Sequence, residues 1–216
     1  MPPTGLSYST LKQHWENLSW TGTWNGTFPA QIGNLSNLVN LGTANSLFTP
    51  ARILPELGKL NKLEFLWMST SNLIGKIPES FANLLNLQLV DMSFNSSKTL
   101  SIEELDYCEV FTNQLSGEIP TPIESLNLIK LNLSQNKLTG SIPQRLFQLK
   151  NLSFVWLFRN QLSGEIPIAI ESPNLIGLDL SENNLTGEIL TSIESLNLNE
   201  LDLSENNLTG SIPMDF

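Results

Sequence analysis

Residues 178–187 read LDLSENNLTG, and residues 201–210 read LDLSENNLTG again, 23 positions later. Catalytic sites are not built by copying a segment at a fixed interval. A fixed interval is what a stacked repeat architecture needs, so the period sets the frame for every other reading. The glycine of GEIP, GSIP and their relatives measures it, falling at Gly117, Gly140, Gly164, Gly187 and Gly210 in steps of 23, 24, 23 and 23. Earlier copies are GTFP at Gly26 and GKIP at Gly75, with a poorer one, RILPELGKL, between them and its proline at Pro55.

The best copy of one period is LKNLSFVWLFRNQLSGEIP, residues 149–167, with apolar positions Leu149, Leu152, Val155, Leu157, Leu162 and Ile166. Val155-Trp156-Leu157 alternates with the period of two expected of a short strand whose Val155 and Leu157 point inward. Asn160 follows where that strand ends, and equivalent positions hold Asn113, Asn136, Asn183 and Asn206. An Asn recurring where the chain turns can donate to and accept from the backbones of neighbouring coils. Each buried backbone group left unpaired would cost about 1–3 kcal/mol, so this column of Asn is expected to be a structural ladder. Gly-X-Ile-Pro then supplies a flexible residue, a core anchor and a fixed φ, before a short helical piece such as QRLFQL at residues 144–149. A unit of this length has too little apolar surface to fold alone; stacking supplies the rest.

Composition agrees with one elongated domain. Of 216 residues, 40% are hydrophobic and 15% charged, too apolar for a disordered chain. The net charge of −10 argues against nucleic acid and anionic membrane surfaces, which need Lys and Arg to replace counterions. It leaves room for a basic peptide or protein, and equally serves solubility. The single cysteine, Cys108, excludes an internal disulfide and a cysteine zinc site; it stands at a Leu position, which predicts a small buried thiol. No stretch approaches the roughly 20 apolar residues of a membrane span, and MPPTGLSYSTLKQHW has neither the basic nor the apolar region of a secretory signal. Asn-X-Ser/Thr sequons, candidate N-glycosylation acceptors, occur at Asn17, Asn25, Asn34, Asn95, Asn132, Asn151, Asn184 and Asn207. Several fall inside the repeated words NLS and NLT, so their number follows in part from the repeat.

The consensus LxxLxLxxNxLTGxIP resembles the plant-type leucine-rich repeat over most of the chain. FPAQIGNLSNL, LGKLNKLEFLWMSTSNLIGKIPESFANL and LFQLKNLSFVWLFRNQLSGEIP are similar to the ectodomains of HAESA-like receptor kinases. The resemblance implies an α/β solenoid, a right-handed superhelix of about eight repeats. A parallel sheet would line its concave face, with short helical or 3-10 segments on the convex face. It also implies an extracellular or plasma-membrane outer-face location, and a concave face that binds a peptide hormone or protein, a co-receptor, or both. Within that frame residues 1–23 read as an incomplete N-terminal cap-like segment and residues 24–216 as the solenoid. The step from Asn95 to Asn113 is only 18, which predicts an irregular, shortened repeat near residues 96–112. The family is expected to hold a peptide C-terminus with an Arg-X-Arg pair, and this sequence contains none. Its start without cysteines and its stop at GSIPMDF are expected of a fragment or an internally deleted relative, with the kinase domain absent.

Strand alternation predicts what the concave face displays. The residue between the two inward positions is, copy by copy, Gly42, Trp67, Asp91, Glu109, Asn132, Trp156, Asp179 and Asp202. Trp156 is flanked on its own strand by Phe154 and Phe158, with Arg159 beyond; Trp67 has Phe65 beside it. Exposed aromatic clusters are the anchors binding surfaces use, although the same rings would also serve to cover neighbouring strands. Asp179 and Asp202 on adjacent coils, like Glu182 and Glu205, read first as a solvated acidic face, and nothing resembles a calcium loop or other metal site. No cofactor is expected. The only histidine, His14, has no nucleophile–base partner, and no phosphate loop, zinc motif or kinase motif is present, so no catalytic residue is expected. The leading expectation is a non-catalytic recognition module binding a peptide or protein ligand on its concave face. Its rivals are a secreted leucine-rich-repeat inhibitor of a cell-wall-degrading enzyme, or a truncated receptor product without a binding role.

Overall fold

The computed structural model describes residues 16–19, 22–24, 29–43, 46–48, 50–93, 113–121, 127–167, 170–189, 193 and 197–210. Each coil contributes a three-residue strand to one parallel sheet. Its strands are β1 (Asn17–Ser19), β3 (Asn40–Gly42), β6 (Phe65–Trp67), β8 (Leu89–Asp91), β10 (Lys130–Asn132), β12 (Phe154–Trp156), β14 (Gly177–Asp179) and β16 (Glu200–Asp202), paired in that order. The middle residue of each points inward: Leu41, Leu66, Val90, Leu131, Val155 and Leu178 are at most 3% exposed. The flanking residues face out, as the alternation predicts.

The Gly-X-Ile-Pro segments do more than extend the chain. With the residues before them they pair into a second parallel sheet. It runs β17 (Asn207–Thr209), β15 (Asn184–Glu188), β13 (Gln161–Glu165), β11 (Lys137–Gly140), β9 (Gln114–Glu118), β7 (Leu73–Gly75) and β5 (Ala51–Arg52). A further pair joins β2 (Gly22–Trp24) to β4 (Ser46–Phe48). The glycines of β7, β9, β11, β13 and β15 sit at φ between +77° and +87°, where a Cβ is strained, which is why this position repeats as Gly. Between the second sheet and the next concave strand the chain makes 3-10 turns, among them Ala30–Asn34, Pro55–Lys59, Glu79–Asn83 and Leu146–Gln148. Pro29 and Pro78 precede such turns in extended conformation, and Pro55 opens one.

The core is a continuous stack of leucines. Leu38, Leu63, Leu87, Leu128 and Leu152 form one tier and Leu73, Leu115, Leu138, Leu162 and Leu185 another, all fully buried. The polar ladder between them is built from the predicted asparagines. Asn160 Oδ1 accepts the Leu138 N–H at 3.0 Å from the preceding coil, while its Nδ2 donates to the Leu133 and Leu157 carbonyls at 3.0 Å each. Asn136, Asn183 and Asn206 repeat this pattern. At the Asn113 end, Ser71 takes the equivalent place and donates its hydroxyl to the Thr43 carbonyl at 2.6 Å.

Residues 17–19, within the segment expected to be cap-like, already pair into the concave sheet: Leu18 takes the inward position and is the register partner of Leu41. β8 pairs directly with β10 and β7 with β9, so among the described residues no strand of either sheet lies between them. Asn113 Nδ2 donates to the carbonyls of Met92 and Ser93, where Asn160 donates to residues three and two positions before itself. One coil thus carries an insertion of 18 residues between Phe94 and Asn113. Among the described residues the concave sheet has eight strands, β1 included. Cys108, Asn25, Asn95, His14, Glu103 and Glu104 lie outside the described residues.

Candidate ligand-binding face

Val155 on β12 and Leu157 just after it are fully buried, so Phe154 and Trp156 are turned outward and stay half-buried. Their rings stack at 5.0 Å between centroids and 11° between planes. Phe65 and Trp67 on β6 do the same at 5.5 Å and 10°. Residues i and i+2 of one strand share a face, and two aromatic rings there cover one another. The Phe154 ring is fixed from both sides. Lys130, its register partner on β10, places Nζ 5.1 Å from the ring centroid, and a Cβ at Gly177 on β14 would lie 2.5 Å from Phe154 Cδ1. Phe154 therefore lies over the one concave position of β14 that has no side chain. Phe158, two residues beyond Trp156, is half-buried.

Asp91, Asn132, Trp156, Asp179 and Asp202 form one register-matched column, with Trp67 beside Asp91. Asp91 and Asn132 are direct register partners, and Glu109 lies outside the described residues. The column has a function that the alternation alone did not reveal. Asp91 Oδ1 accepts the Ser93 N–H at 3.0 Å and the Ser93 hydroxyl at 2.6 Å. Asn132 with Ser134, Asp179 with Ser181 and Asp202 with Ser204 repeat it. The signal was present in the sequence as DMS, NLS, DLS and DLS, an Asx residue followed two positions later by Ser. These bonds orient the side chains and occupy one oxygen of each carboxylate, with neutral donors.

Arg159 is engaged with the next coil. It sits at φ +52° and its Nε donates to both Glu182 oxygens at 2.7 and 2.8 Å on the next coil. That hydrogen bond is the main cause holding the guanidinium pKa above its ordinary value, against some burial, with the charges of Glu182 and Glu205 adding to it. Gln135, Glu182 and Glu205 share this left-handed conformation at the position before the ladder Asn, which sequence reading did not detect. Among the described sequons, Asn17, Asn34, Asn151, Asn184 and Asn207 are exposed, while Asn132 is half-buried on the concave face beside Trp156. Among the described residues, no three His, Cys, Asp or Glu side chains converge as a metal would need, and no helix is long and apolar enough to cross a membrane.

Comparison with known proteins follows the same lines. A sequence model of the Leucine Rich Repeat family matches residues 62–84, 127–149, 174–196 and 197–216. Receptor-like protein 52 of Arabidopsis thaliana is 43% identical over 92 residues, covering 39% of this chain and 11% of that protein. The plant peptide hormone receptor RGFR1, solved in complex with RGF2, superposes with a TM-score of 0.80 at 33% identity, covering 91% of this chain and 29% of that one. The Arabidopsis receptor kinase HAESA, solved with the peptide hormone IDA and the co-receptor SERK1, gives 0.79 and 33%, covering 92% and 31%. The chain thus spans less than a third of each of these proteins. Repeat spacing, Asn ladder and paired parallel sheets agree with these likenesses: the chain carries leucine-rich repeats over the matched residues and is similar to plant receptor-like proteins and receptor ectodomains.

Proposed function

We propose that the chain is a non-catalytic recognition module that binds a peptide or protein ligand on the concave sheet, at the extracellular or outer membrane face. The observation that carries the reading is the stacked Phe154–Trp156 pair, half-buried and outward on a strand whose inward residue, Val155, is fully buried. Core packing does not require two large rings on the solvent side of a sheet, whereas interface anchors are enriched in this chemistry. Asp179 and Asp202 continue the column and suit a ligand carrying positive charge. Related ectodomains whose structures hold a peptide hormone, RGFR1 with RGF2 and HAESA with IDA, support a peptide as the ligand class, and SERK1 in the latter supports a co-receptor as a further partner.

The test is a binding screen of the purified chain against synthetic plant signalling peptides, followed by Trp156→Ala. The variant should keep the far-UV circular dichroism of the parent and bind any ligand found at least about tenfold more weakly. Undiminished affinity would move the binding face elsewhere. Inhibition of a polygalacturonase, insensitive to Trp156→Ala, would replace the receptor-type reading with that of an enzyme inhibitor.

A further inference from the structure

We infer that the ligand of this face is an extended peptide lying across the strands. It carries two large apolar side chains about four residues apart and a Lys or Arg about two residues beyond the second. The inference rests on the binding face proposed above and adds the spacing, which the sheet geometry supplies.

The two aromatic pairs are separated by β8 and β10 in the order β6-β8-β10-β12. Three strand steps of about 4.8 Å put them about 14 Å apart at the backbone. An extended peptide advances about 3.4 Å per residue and turns alternate side chains to one face, so residues i and i+4 face the same way about 14 Å apart. The match places one apolar side chain at Phe65 and Trp67 and the next at Phe154 and Trp156. Residue i+2 then meets Leu89, Asp91, Lys130 and Asn132, a mixed surface without an aromatic anchor. Beyond the second pair the outward residues are Gly177, Asp179, Glu200 and Asp202, so the described strands offer carboxylates and no cation. Residue i+6 falls about 7 Å past the second pair, between β14 and β16, where a basic side chain meets these carboxylates. Ser181 and Ser204 orient Asp179 and Asp202 without neutralising them. Arg159, on the neighbouring stretch of chain, is engaged with Glu182.

Ring orientation favours a peptide over a sugar. The rings of each pair are nearly parallel, so each covers one face of the other, and Lys130 lies over Phe154 as well. Stacking leaves fewer open ring faces than two separate rings would, which disfavours the flat face of a pyranose and still offers apolar surface to side chains. Side-chain geometry does not set the direction of the bound chain, so the pattern reads in either order.

The experiment is selection of displayed random peptides of about nine residues on the purified chain, repeated on Trp67→Ala, Trp156→Ala and the double variant Asp179→Asn with Asp202→Asn. The last keeps the bonds to Ser181 and Ser204, as Asn132 keeps its bond to Ser134. Parent selection should enrich the two apolar positions four apart with the basic residue two beyond. Trp67→Ala and Trp156→Ala should each release one apolar position, and the double Asn variant should reduce the basic preference at least about tenfold. If an alanine variant unfolds by circular dichroism, the Trp→Leu variant replaces it. Enriched peptides that depend on Trp156 but lack this spacing would overturn the inference and leave the binding face standing. No enrichment, or enrichment indifferent to both tryptophans, would overturn both.

Discussion

Asn113 Nδ2 donates to the Met92 carbonyl at 2.9 Å, 21 residues back along the chain, where Asn160 reaches the Leu157 carbonyl three residues back at 3.0 Å. The two bonds are the same rung of one ladder. They show that the coil containing β8 and β9 closes around its insertion rather than being interrupted by it. Removing residues 95–112 would join Phe94 to Asn113 and recreate the regular Leu-x-x-Asn spacing from Met92. A chain with that deletion is expected to unfold cooperatively and to be no less stable than the parent, because the deletion removes a loop-closure cost of about 2–3 kcal/mol. Chemical denaturation measures this; loss of cooperativity would show that the inserted residues hold the coil together.

The ladder itself should be costly to break. Asn160 is 9% exposed and satisfies the Leu138 N–H and the Leu133 and Leu157 carbonyls. Asn160→Ala removes all three partners at once, and each buried group left unpaired costs about 1–3 kcal/mol. A loss of at least about 3 kcal/mol in urea unfolding is expected. A loss under about 1 kcal/mol would mean that water replaces the side chain.

Gly177 and Phe154 test the construction of the aromatic pair. A methyl group at position 177 would lie 2.5 Å from Phe154 Cδ1, closer than any real contact, so Gly177→Ala must move the ring. The expected result is a changed near-UV circular dichroism spectrum with a stability loss of about 1–3 kcal/mol, as for other overpacked sites. An unchanged near-UV spectrum would show that Phe154 is not held by this contact.

The Arg159–Glu182 pair should matter little to stability. The side chains are 56% and 34% exposed, and ion pairs of that kind contribute about 0.2–1 kcal/mol. Arg159→Ala is therefore expected to cost less than about 1 kcal/mol, and less again in high salt. Because the Arg159 pKa is raised above its already strongly basic ordinary value, its share is fully present below that value and is lost only as the pH rises through the folded-state pKa, so it is constant across neutral pH. A salt-independent loss above about 2 kcal/mol would assign Arg159 a packing role instead.

Protection against hydrogen exchange should fall along the last coil. Leu201, Leu203 and Leu208 are half-buried in this chain, whereas their equivalents Leu178, Leu180 and Leu185 are fully buried. Amides of β16 and β17 are expected to exchange before those of β12 and β13, since each coil draws its stability from the coil stacked on it. Equal protection in a monomer would contradict this.

Sequence alone settled the features that depend on local period. The 23-residue interval, the inward leucines, the Asn ladder and the outward Trp67 and Trp156 could all be read because each coil repeats the same short-range alternation. The Asx-x-Ser bonds were legible too, in words that recur at four of the five column positions, Trp156 being the exception. Three features were decided only by the tertiary structure. Which strand lies beside Asp91 depends on pairing between residues 41 positions apart, and no local pattern distinguishes an 18-residue insertion from a coil of 18 residues. The second sheet arises only when several Gly-X-Ile-Pro segments stack, because an isolated extended segment has no partner for its backbone groups. The engagement of Arg159 with Glu182 depends on a left-handed turn that carries no residue signature, so a side chain expected on the ligand face also makes a contact between coils.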